Sequence, residues 1–244
     1  GDYAFFECTS LTEIVVDSSN PKYSNNNSDG VLYNKTITTL IQYPIGRNSA
    51  NNSFSISSSV NTISSFAFYK SQNLTSVTIP TSVTSIGDRA FSECLSLVGI
   101  NVNSGNQNYS NNDSDGVLYN NDVTTLIQYP IGNSVDDFDD FTIPNTVITI
   151  DSYSFYKSQN LKSVTIPSSV ITIDTAAFQD CTSLTSITIG SSVTSIGNDA
   201  FSFCKSLTKV VIPDSVTSIG NNAFYFCKSL TNIIIGNSVT SIRD

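Results

Sequence analysis

The sequence predicts a solenoid built mostly of β-strands, in which coils of 23 residues stack on one another. A repeated frame is the first observation: Cys181, Cys204 and Cys227 lie 23 residues apart, and the apolar residues between them return in phase. Within each coil, apolar and polar residues alternate, as in strands with one buried face. Charged residues make up only 13% of the chain and hydrophobic residues 39%. A stacked sheet tolerates this balance, because uncharged polar side chains can lie side by side.

One coil illustrates the predicted elements. Leu184, Ile187 and Ile189 face inward from a first strand, and Gly190 then turns the chain, as Pro does in other coils. A second short strand follows over 193–196. An Asp-x-Ala-Phe or Asn-x-Ala-Phe segment follows and predicts a short helical segment of about one turn. The Asp or Asn caps this segment, and its Ala and Phe side chains face the interior.

Two inserts interrupt the frame, at about residues 17–53 and 103–140. They are near copies, since Gly30 and Gly116, like Pro44 and Pro130, lie 86 residues apart. In each, Asp-Gly precedes Val-Leu-Tyr, and a polar pair precedes Thr-Thr-Leu-Ile-Gln-Tyr. This order of turn, strand, turn and strand predicts a β-hairpin beside the stack.

The domain organisation follows from the short period. Because each coil buries its apolar side only against its neighbours, we expect one elongated domain over residues 1–244. No polar capping coil is recognisable, and the chain starts and stops at about the same point of the repeat. We therefore expect a fragment of a longer chain, with any signal or anchor outside it. No apolar run approaches the roughly 18 to 20 residues of a membrane span, so no membrane insertion is expected within the fragment.

The net charge of -9 bears on partners. Nucleic acid and anionic membranes both require a basic surface, so neither is expected as a partner. A neutral or basic protein partner is expected instead. The oligomeric state stays open, because uncapped ends expose sheet-stacking surface that could pair with another chain.

The frame Cys-x-x-Leu-x-x-Ile-x-Ile-Pro-x-x-Val-x-x-Ile-Gly-x-x-Ala-Phe resembles the BspA-type leucine-rich repeats, a family of surface proteins of oral bacteria and parasitic protists. The resemblance implies a right-handed, curved leucine-rich-repeat solenoid that is displayed at the cell surface or secreted. It also implies adhesion to extracellular matrix, host cells or other microbes. The departures from the frame are not expected to disturb the fold: they are Ser71 and Ser158 for Cys, Ser154 for Ala, and Gly190 and Gly236 for Pro.

Five cysteines share one position of the frame: Cys8, Cys94, Cys181, Cys204 and Cys227. Stacked coils would bring three of them to roughly the 4.8 Å spacing of strands, which is close enough for a disulfide or a metal site. A ladder of buried free thiols is the favoured interpretation, because a small, weakly polar side chain suits a solenoid interior and the count is odd.

The sequence contains few candidate catalytic residues. The chain has no His, so it lacks the commonest general base, the commonest metal ligand and an activator for a nucleophilic thiol. The densest carboxylates, Asp136, Asp137, Asp139 and Asp140, have no apolar shielding that would raise one pKa. The sequence therefore predicts neither an enzyme nor a cofactor.

A calcium-like spacing occurs in the second insert, at Asn111, Asp113, Asp115, Gly116 and Asp122. The first insert lacks two of the carboxylates, and neither copy is flanked by helices. A plain Asp-Gly turn is the favoured interpretation, weak calcium binding by the second copy is the alternative, and no metal site is predicted.

Glycosylation is a further possibility for a eukaryotic secretory protein. Asn-x-Ser/Thr triplets begin at Asn26, Asn34, Asn51, Asn73, Asn108 and Asn112, mostly in or beside the inserts. In a chain this rich in Asn, Ser and Thr, chance also explains many of them.

Outward positions of the first strand form the predicted working surface. Most are Ser or Thr, whose ladders stabilise and solubilise a sheet, but lysines and aliphatics interrupt them toward the C-terminal half. The predicted ligand-binding residues are Lys162, Thr165, Thr188, Lys209, Val211, Asn232 and Ile234. An adhesin or interaction module is the leading function and a passive spacer the alternative. Ice or crystal binding by the threonine ladders is disfavoured, because it needs a flat, unbroken array.

Overall fold

In the computed structural model, residues 4–27, 29–48, 51–113, 115–132 and 140–243 are described. The chain divides into two compact units, Gly1–Gly116 (unit 1) and Val117–Asp244 (unit 2). Each unit is a stack of coils, so the predicted β-solenoid is confirmed, while a single domain over residues 1–244 stays a prediction. Among the described residues, no helix is long and apolar enough to cross a membrane.

Eight of the nine strands of unit 1 form two sheets. Its strands are β1 (Tyr23–Ser24), β2 (Leu32–Asn34), β3 (Thr39–Gln42), β4 (Ser53–Ser55), β5 (Thr62–Ile63), β6 (Ser76–Ile79), β7 (Ser85–Ile86), β8 (Gly99–Val102) and β9 (Tyr109–Ser110). The first strands of the coils form a parallel sheet, β4-β6-β8, which we call the front sheet of unit 1. The second strands form the back sheet, in the order β1-β2-β3-β5-β7.

Unit 2 repeats this arrangement. Its strands are β10 (Leu118–Asn120), β11 (Thr125–Gln128), β12 (Asp140–Thr142), β13 (Thr149–Ile150), β14 (Ser163–Thr165), β15 (Thr172–Ile173), β16 (Ser186–Thr188), β17 (Ser195–Ile196), β18 (Lys209–Val211), β19 (Ser218–Ile219), β20 (Asn232–Ile234) and β21 (Ser241–Ile242). The front sheet of unit 2 is β12-β14-β16-β18-β20, and all its neighbours are parallel. The back sheet of unit 2 runs from β10 through β11, β13, β15, β17 and β19 to β21.

Both inserts contain the predicted β-hairpin. Strand β2 pairs with β3, and β10 with β11, in antiparallel fashion with a bulge at the first pair. The hairpins do not stand beside the stack. Their second strands, β3 and β11, pair in parallel with β5 and β13 and therefore belong to the back sheets.

The Ala-Phe segments correct one expectation. They are hydrogen-bonded turns, and none of the described residues is helical. Ala176 and Asp180 have φ of 54° and 60°, and their N–H groups donate to the carbonyls of Asn198 and Ser202 in the next coil at 2.8 and 2.9 Å. A helix would direct these N–H groups back along its own chain. Hydrogen bonding between coils therefore replaces helical bonding and offsets the left-handed conformation of non-glycine residues, which costs about 1–2 kcal/mol each.

A column of aromatic rings runs through the core of each unit. In unit 2, Phe155, Phe178, Phe201 and Phe224 stack with centroids 4.5, 5.2 and 5.3 Å apart. Tyr129 of the insert begins the column, 5.0 Å from Phe155. In unit 1 the equivalent column contains Tyr43, Phe68 and Phe91, at 5.3 and 5.1 Å. The Tyr-Pro segment of each insert thus supplies the ring that a regular coil supplies as Phe.

The serines that depart from the frame lie in this core. Ser71, Ser154 and Ser158 are buried, and their hydroxyls have no hydrogen-bond partner among the described residues. An unsatisfied buried hydroxyl costs about 1–3 kcal/mol. The departures therefore leave the fold intact at a cost in stability.

Candidate functional site

The predicted ligand-binding residues all lie in unit 2, on or directly before strands of its front sheet. All seven are exposed: Lys162, Thr165, Thr188, Lys209, Val211, Asn232 and Ile234. The parallel register pairs Thr165 with Thr188, Lys209 with Asn232, and Val211 with Ile234. The structure thus places these residues on one face of one sheet, and a role in binding stays a prediction.

Two aliphatic side chains stand out on this face. Val211 and Ile234 are 47% and 49% exposed and lie directly opposite each other on β18 and β20. Both occupy an outward position of the frame, so their exposure does not result from lying at the end of the stack. The inward-facing Ile233, by contrast, is 39% exposed because β20 is an edge strand. An outward aliphatic pair has no packing role within the fold and suits contact with another molecule.

The first threonine of each coil has a structural role. The hydroxyls of Thr185, Thr208 and Thr231 donate to the carbonyls of Lys162, Thr185 and Thr208 at 3.0, 3.4 and 3.2 Å. Thr194, Thr217 and Thr240 form the same ladder next to the back sheet. These hydroxyls stabilise the stack, as the interpretation of Ser and Thr ladders predicts.

The front sheet of unit 1 is closed at β8 by the second insert. Asn111 accepts the N–H of Val102 and donates to the carbonyl of Ile100, both at 2.7 Å, and Gly116 accepts the N–H of Ile100 at 2.9 Å. Gly116 has a φ of +73°, and a Cβ there would lie 3.0 Å from the Cα of Gly99. The Asp-Gly loop therefore covers the strand edge, which reduces the front surface available in unit 1.

An exposed aromatic cluster in unit 2 escaped the sequence analysis. The rings of Phe203, Tyr225 and Phe226 lie 5.2 to 5.7 Å apart, and Tyr225 and Phe226 are 53% and 41% exposed. The Lys228 ammonium lies 4.3 Å from the centre of the Phe226 ring. Aromatic residues at the two variable positions after Ala-Phe, where the preceding coil has Gln179 and Asp180, were the signal that could have revealed it.

The predicted ladder of buried thiols is confirmed for three of its five members and in part for a fourth. Cys94, Cys181 and Cys204 are buried and Cys227 is half-buried, all as free thiols. Their Sγ atoms donate to the carbonyls of Phe68, Phe155, Phe178 and Phe201 at 2.9 to 3.2 Å. Burial raises the pKa of Cys94 to about 12 and that of Cys227 to about 11, and it also raises the pKa values of Cys181 and Cys204.

Burial is the wrong prediction for Cys8, which is exposed. Its coil has a neighbour on one side only among the described residues, so the position that is interior elsewhere is open to solvent. The ladder thiols themselves stay protonated and hydrogen-bonded, which suits a packing role rather than a nucleophilic one.

The calcium-like sequence forms the predicted Asp-Gly turn. The N–H of Asp115 donates to the carbonyl of Asn112 at 3.0 Å, and both polar atoms of the Asn111 side chain bind β8. Within the described part of the chain, no group of three or more Cys, Asp or Glu side chains could hold a metal ion. Asp140 lies at the start of β12, while Asp136, Asp137 and Asp139 lie outside the described residues.

The candidate glycosylation sites differ in accessibility. Asn51 and Asn108 are exposed, whereas Asn26, Asn34, Asn73 and Asn112 are half-buried. The Asn34 side chain donates to Thr38 at 2.8 Å and accepts two backbone N–H groups, which it would lose on modification. Glycosylation stays a prediction, and Asn51 and Asn108 are the sites that the structure favours.

Comparison with known protein families identifies the family of the chain. Residues 39–116 and 132–244 match the BspA type leucine rich repeat region, in six copies. The chain therefore belongs to the BspA-type leucine-rich repeat family. The predicted family and the leucine-rich-repeat solenoid are both confirmed, and no match was found among curated proteins.

Several solved structures are similar to this chain. A leucine rich cell surface protein from Faecalibacterium prausnitzii A2-165 has a TM-score of 0.66 and 29% identity, over 84% of this chain and 59% of that protein. The pneumococcal vaccine antigen PcpA has a TM-score of 0.68 and 26% identity, over 78% of this chain and 53% of the antigen. A leucine-rich repeat protein from Eubacterium ventriosum, at 23% identity, shows the same fold with a TM-score of 0.56. The chain thus spans between half and three fifths of the length of the first two.

Proposed function

We propose that this chain is a non-enzymatic interaction module of a cell-surface or secreted protein, and that it binds a protein of a host, an extracellular matrix or another microbe. The leucine-rich-repeat family suggests a surface protein-interaction role. The similarity to a bacterial cell surface protein supports the surface location.

The proposed binding surface is the front sheet of unit 2. The observation that carries this proposal is the exposed pair Val211 and Ile234, flanked on the same strands by Lys209 and Asn232. The aliphatic side chains would lose contact with water when a protein ligand binds, and the charged lysine beside them would orient that ligand. The five-stranded front sheet of unit 2 supports the choice over the three-stranded one of unit 1, which the insert closes at β8.

A passive spacer is the second candidate. The threonine ladders favour it, because the outward hydroxyls of Thr185, Thr208 and Thr231 already serve the stability of the stack. On that hypothesis the solenoid projects another domain from the surface, and the outward residues are interchangeable.

Surface plasmon resonance distinguishes the two hypotheses. The chain is tested against fibronectin, fibrinogen, laminin and whole host cells, alongside the variant Lys209→Ala/Val211→Ala/Ile234→Ala. On the binding hypothesis we expect saturable binding, with a Kd that rises about tenfold or more in the variant, which corresponds to about 1.4 kcal/mol. Exposed positions away from core contacts change stability little, so the variant should melt as the parent does.

A matched control is available in unit 1. Ser76, Thr78 and Asn101 lie on β6 and β8 of its front sheet, and their alanine variant should bind as the parent does. Binding that all three proteins share equally would place the site elsewhere. Absence of binding to the whole panel would favour the spacer.

A further inference from the structure

Charge is distributed unevenly along this chain. The net charge of -9 predicts a neutral or basic partner, yet the coils over residues 201–243 are basic. A single carboxylate in this range, Asp214, stands against four cationic side chains: Lys205, Lys209, Lys228 and Arg243. Charges further apart than about 8 Å are largely screened at physiological ionic strength, so a ligand responds to the local charge of the surface that it contacts. The surface of these coils therefore differs in sign from the chain as a whole.

Three of these lysines lie at or shortly before front strands of unit 2. Lys209 begins β18, and Lys205 and Lys228 lie four residues before β18 and β20. All three side chains are exposed. The coil of Lys205 and Lys209 has a neighbouring coil on each side, so their exposure results from their outward positions. Within the described part of the chain, none of the three ammonium groups forms an ion pair.

The stack places two of the lysines against each other. The N–H of Ser229 donates to the carbonyl of Lys205 at 3.2 Å, so Lys205 and Lys228 occupy the same corner of adjacent coils. Like charges held directly opposite each other are destabilising, as they are across neighbouring strands. The corresponding positions of four earlier coils are uncharged: Gln72, Leu95, Gln159 and Thr182. The lysine pair therefore does not stabilise the fold, and an anionic group of a ligand between the two side chains relieves their repulsion.

The front sheet of unit 2 also has a charge polarity. Its parallel register aligns Asp140 of β12 with Ser163, Ser186 and Lys209 in one row. Asp140 and Lys209 are three strand spacings apart, which is roughly 14 Å. That separation exceeds the screening length of about 8 Å, so the carboxylate does not neutralise the lysine at physiological ionic strength. A ligand on this sheet meets a positive charge at β18 and a negative charge at β12.

We propose that the front sheet of unit 2 binds an acidic segment of a partner protein. Carboxylates of this segment pair with Lys205, Lys209 and Lys228, and its aliphatic side chains cover Val211 and Ile234. The inference rests on the proposed function, because it names the chemistry of the partner for the same surface. Val211 lies two residues after Lys209 on β18, so both side chains face outward. Aliphatic contact at Val211 removes water beside Lys209, which strengthens an ion pair there.

The aliphatic pair favours a protein over a polyanionic glycan as the partner. Val211 and Ile234 are 47% and 49% exposed, and an interface of two proteins covers such side chains with apolar groups. A sulfated glycan pairs with lysines but has no aliphatic side chains for this purpose. A basic protein segment meets the lysines with charge of the same sign, which is strongly unfavourable across an interface.

Peptide selection tests the proposal without a known ligand. Random peptides displayed on phage are selected on the immobilised 244-residue chain. We expect the selected peptides to contain Asp or Glu next to Val, Ile or Leu. In fluorescence anisotropy, the synthetic peptides should bind Lys205→Glu/Lys209→Glu about tenfold or more weakly than the parent, and they should bind the parent more weakly at high salt. Lys205→Gln/Lys209→Gln serves if the first variant fails to fold.

The matched control is Lys22→Glu/Lys35→Glu, which changes the net charge by the same amount. Both control lysines are exposed in unit 1, and the variant should bind the selected peptides as the parent does. Selection of peptides without acidic residues, or of no peptides, would overturn the proposal. Peptide binding that survives the charge reversal at Lys205 and Lys209 would also overturn it.

A second variant separates this proposal from the proposed function. Peptide binding that is lost in Val211→Ala/Ile234→Ala but retained in Lys205→Glu/Lys209→Glu would refute the acidic partner alone, and the proposed surface would stand. Binding retained in both variants would refute the surface as well. Binding of heparin by the parent, with no peptides selected, would replace the acidic protein by a polyanionic glycan.

Discussion

Replacing Phe178 by Ala should destabilise unit 2 far more than the same change at Phe224. Phe178 is fully buried and has stacked rings on both sides, at 4.5 and 5.2 Å from Phe155 and Phe201. Phe224 is only partly buried and stacks on Phe201 alone, at 5.3 Å. The two positions have the same frame and the same residue, so the comparison isolates the contribution of the second neighbouring coil.

The expected magnitudes follow from burial and stacking. Phe→Ala at a fully buried site costs about 3–5 kcal/mol, and each aromatic pair contributes about 0.5–1.5 kcal/mol beyond its area. We therefore expect a loss of about 4 kcal/mol in the free energy of unfolding for Phe178→Ala and about 2 kcal/mol for Phe224→Ala.

Urea denaturation followed by far-ultraviolet circular dichroism measures both losses, with the slope m checked for constancy. Phe226→Ala, at a ring that is 41% exposed, is the control and should change stability by less than either. Equal losses for Phe178→Ala and Phe224→Ala would refute the reasoning, because the column would then not be stabilised coil by coil.

Two further predictions concern the ladder of small residues beside that column. Ser158→Cys should raise the free energy of unfolding by about 1 kcal/mol, and with it the urea midpoint. The Ser158 hydroxyl is buried without a partner among the described residues, whereas the equivalent Cys181 thiol donates to the carbonyl of Phe155. A lowered midpoint would show that the Ser158 hydroxyl is satisfied. The second prediction concerns pH. Burial raises the pKa of Cys94 to about 12, above the roughly 8.5 of an unfolded thiol. The contribution of the Cys94 thiol to the free energy of unfolding is therefore fully present below about pH 8.5, and it falls by about 1.4 kcal/mol per pH unit as pH rises toward 12. Unfolding measured between those limits should show a shallower slope for Cys94→Ala, and an unchanged slope would contradict the assignment.

The sequence was sufficient for those features that repeat. A period of 23 residues and the alternation around Ile187 predict both strands of each coil, because every coil meets the same neighbour in the same register. The Asp-Gly turn and the alternation after it likewise predict the hairpins. The segment before Phe178 was less predictable. Asp-x-Ala-Phe satisfies the local rules for a helix start, but hydrogen bonds to the next coil hold Ala176 at a φ of 54°.

For the candidate site, outward positions could be predicted but their surroundings could not. Strand periodicity is enough to place Val211 and Ile234 on the solvent face. It contains no information about which front strand an insert covers, since that depends on contacts between residues distant in sequence. Gly99 is a local sign, because the plain coils of unit 2 have Ser, Lys or Asn at this position, and Gly99 lies against Gly116.

The inserts interrupt the front surface of the coils. In unit 1, Asn25 accepts the N–H of Val16 and donates to the carbonyl of Ile14, so the first insert closes the front segment before it. The same insert continues the back sheet through β3 and β5. Within unit 1, the first insert therefore closes a front segment while it extends the back sheet. The front sheets accordingly differ in length, with three strands in unit 1 and five in unit 2. Changes in the number of plain coils between inserts would therefore alter the size of the front sheet without altering the core.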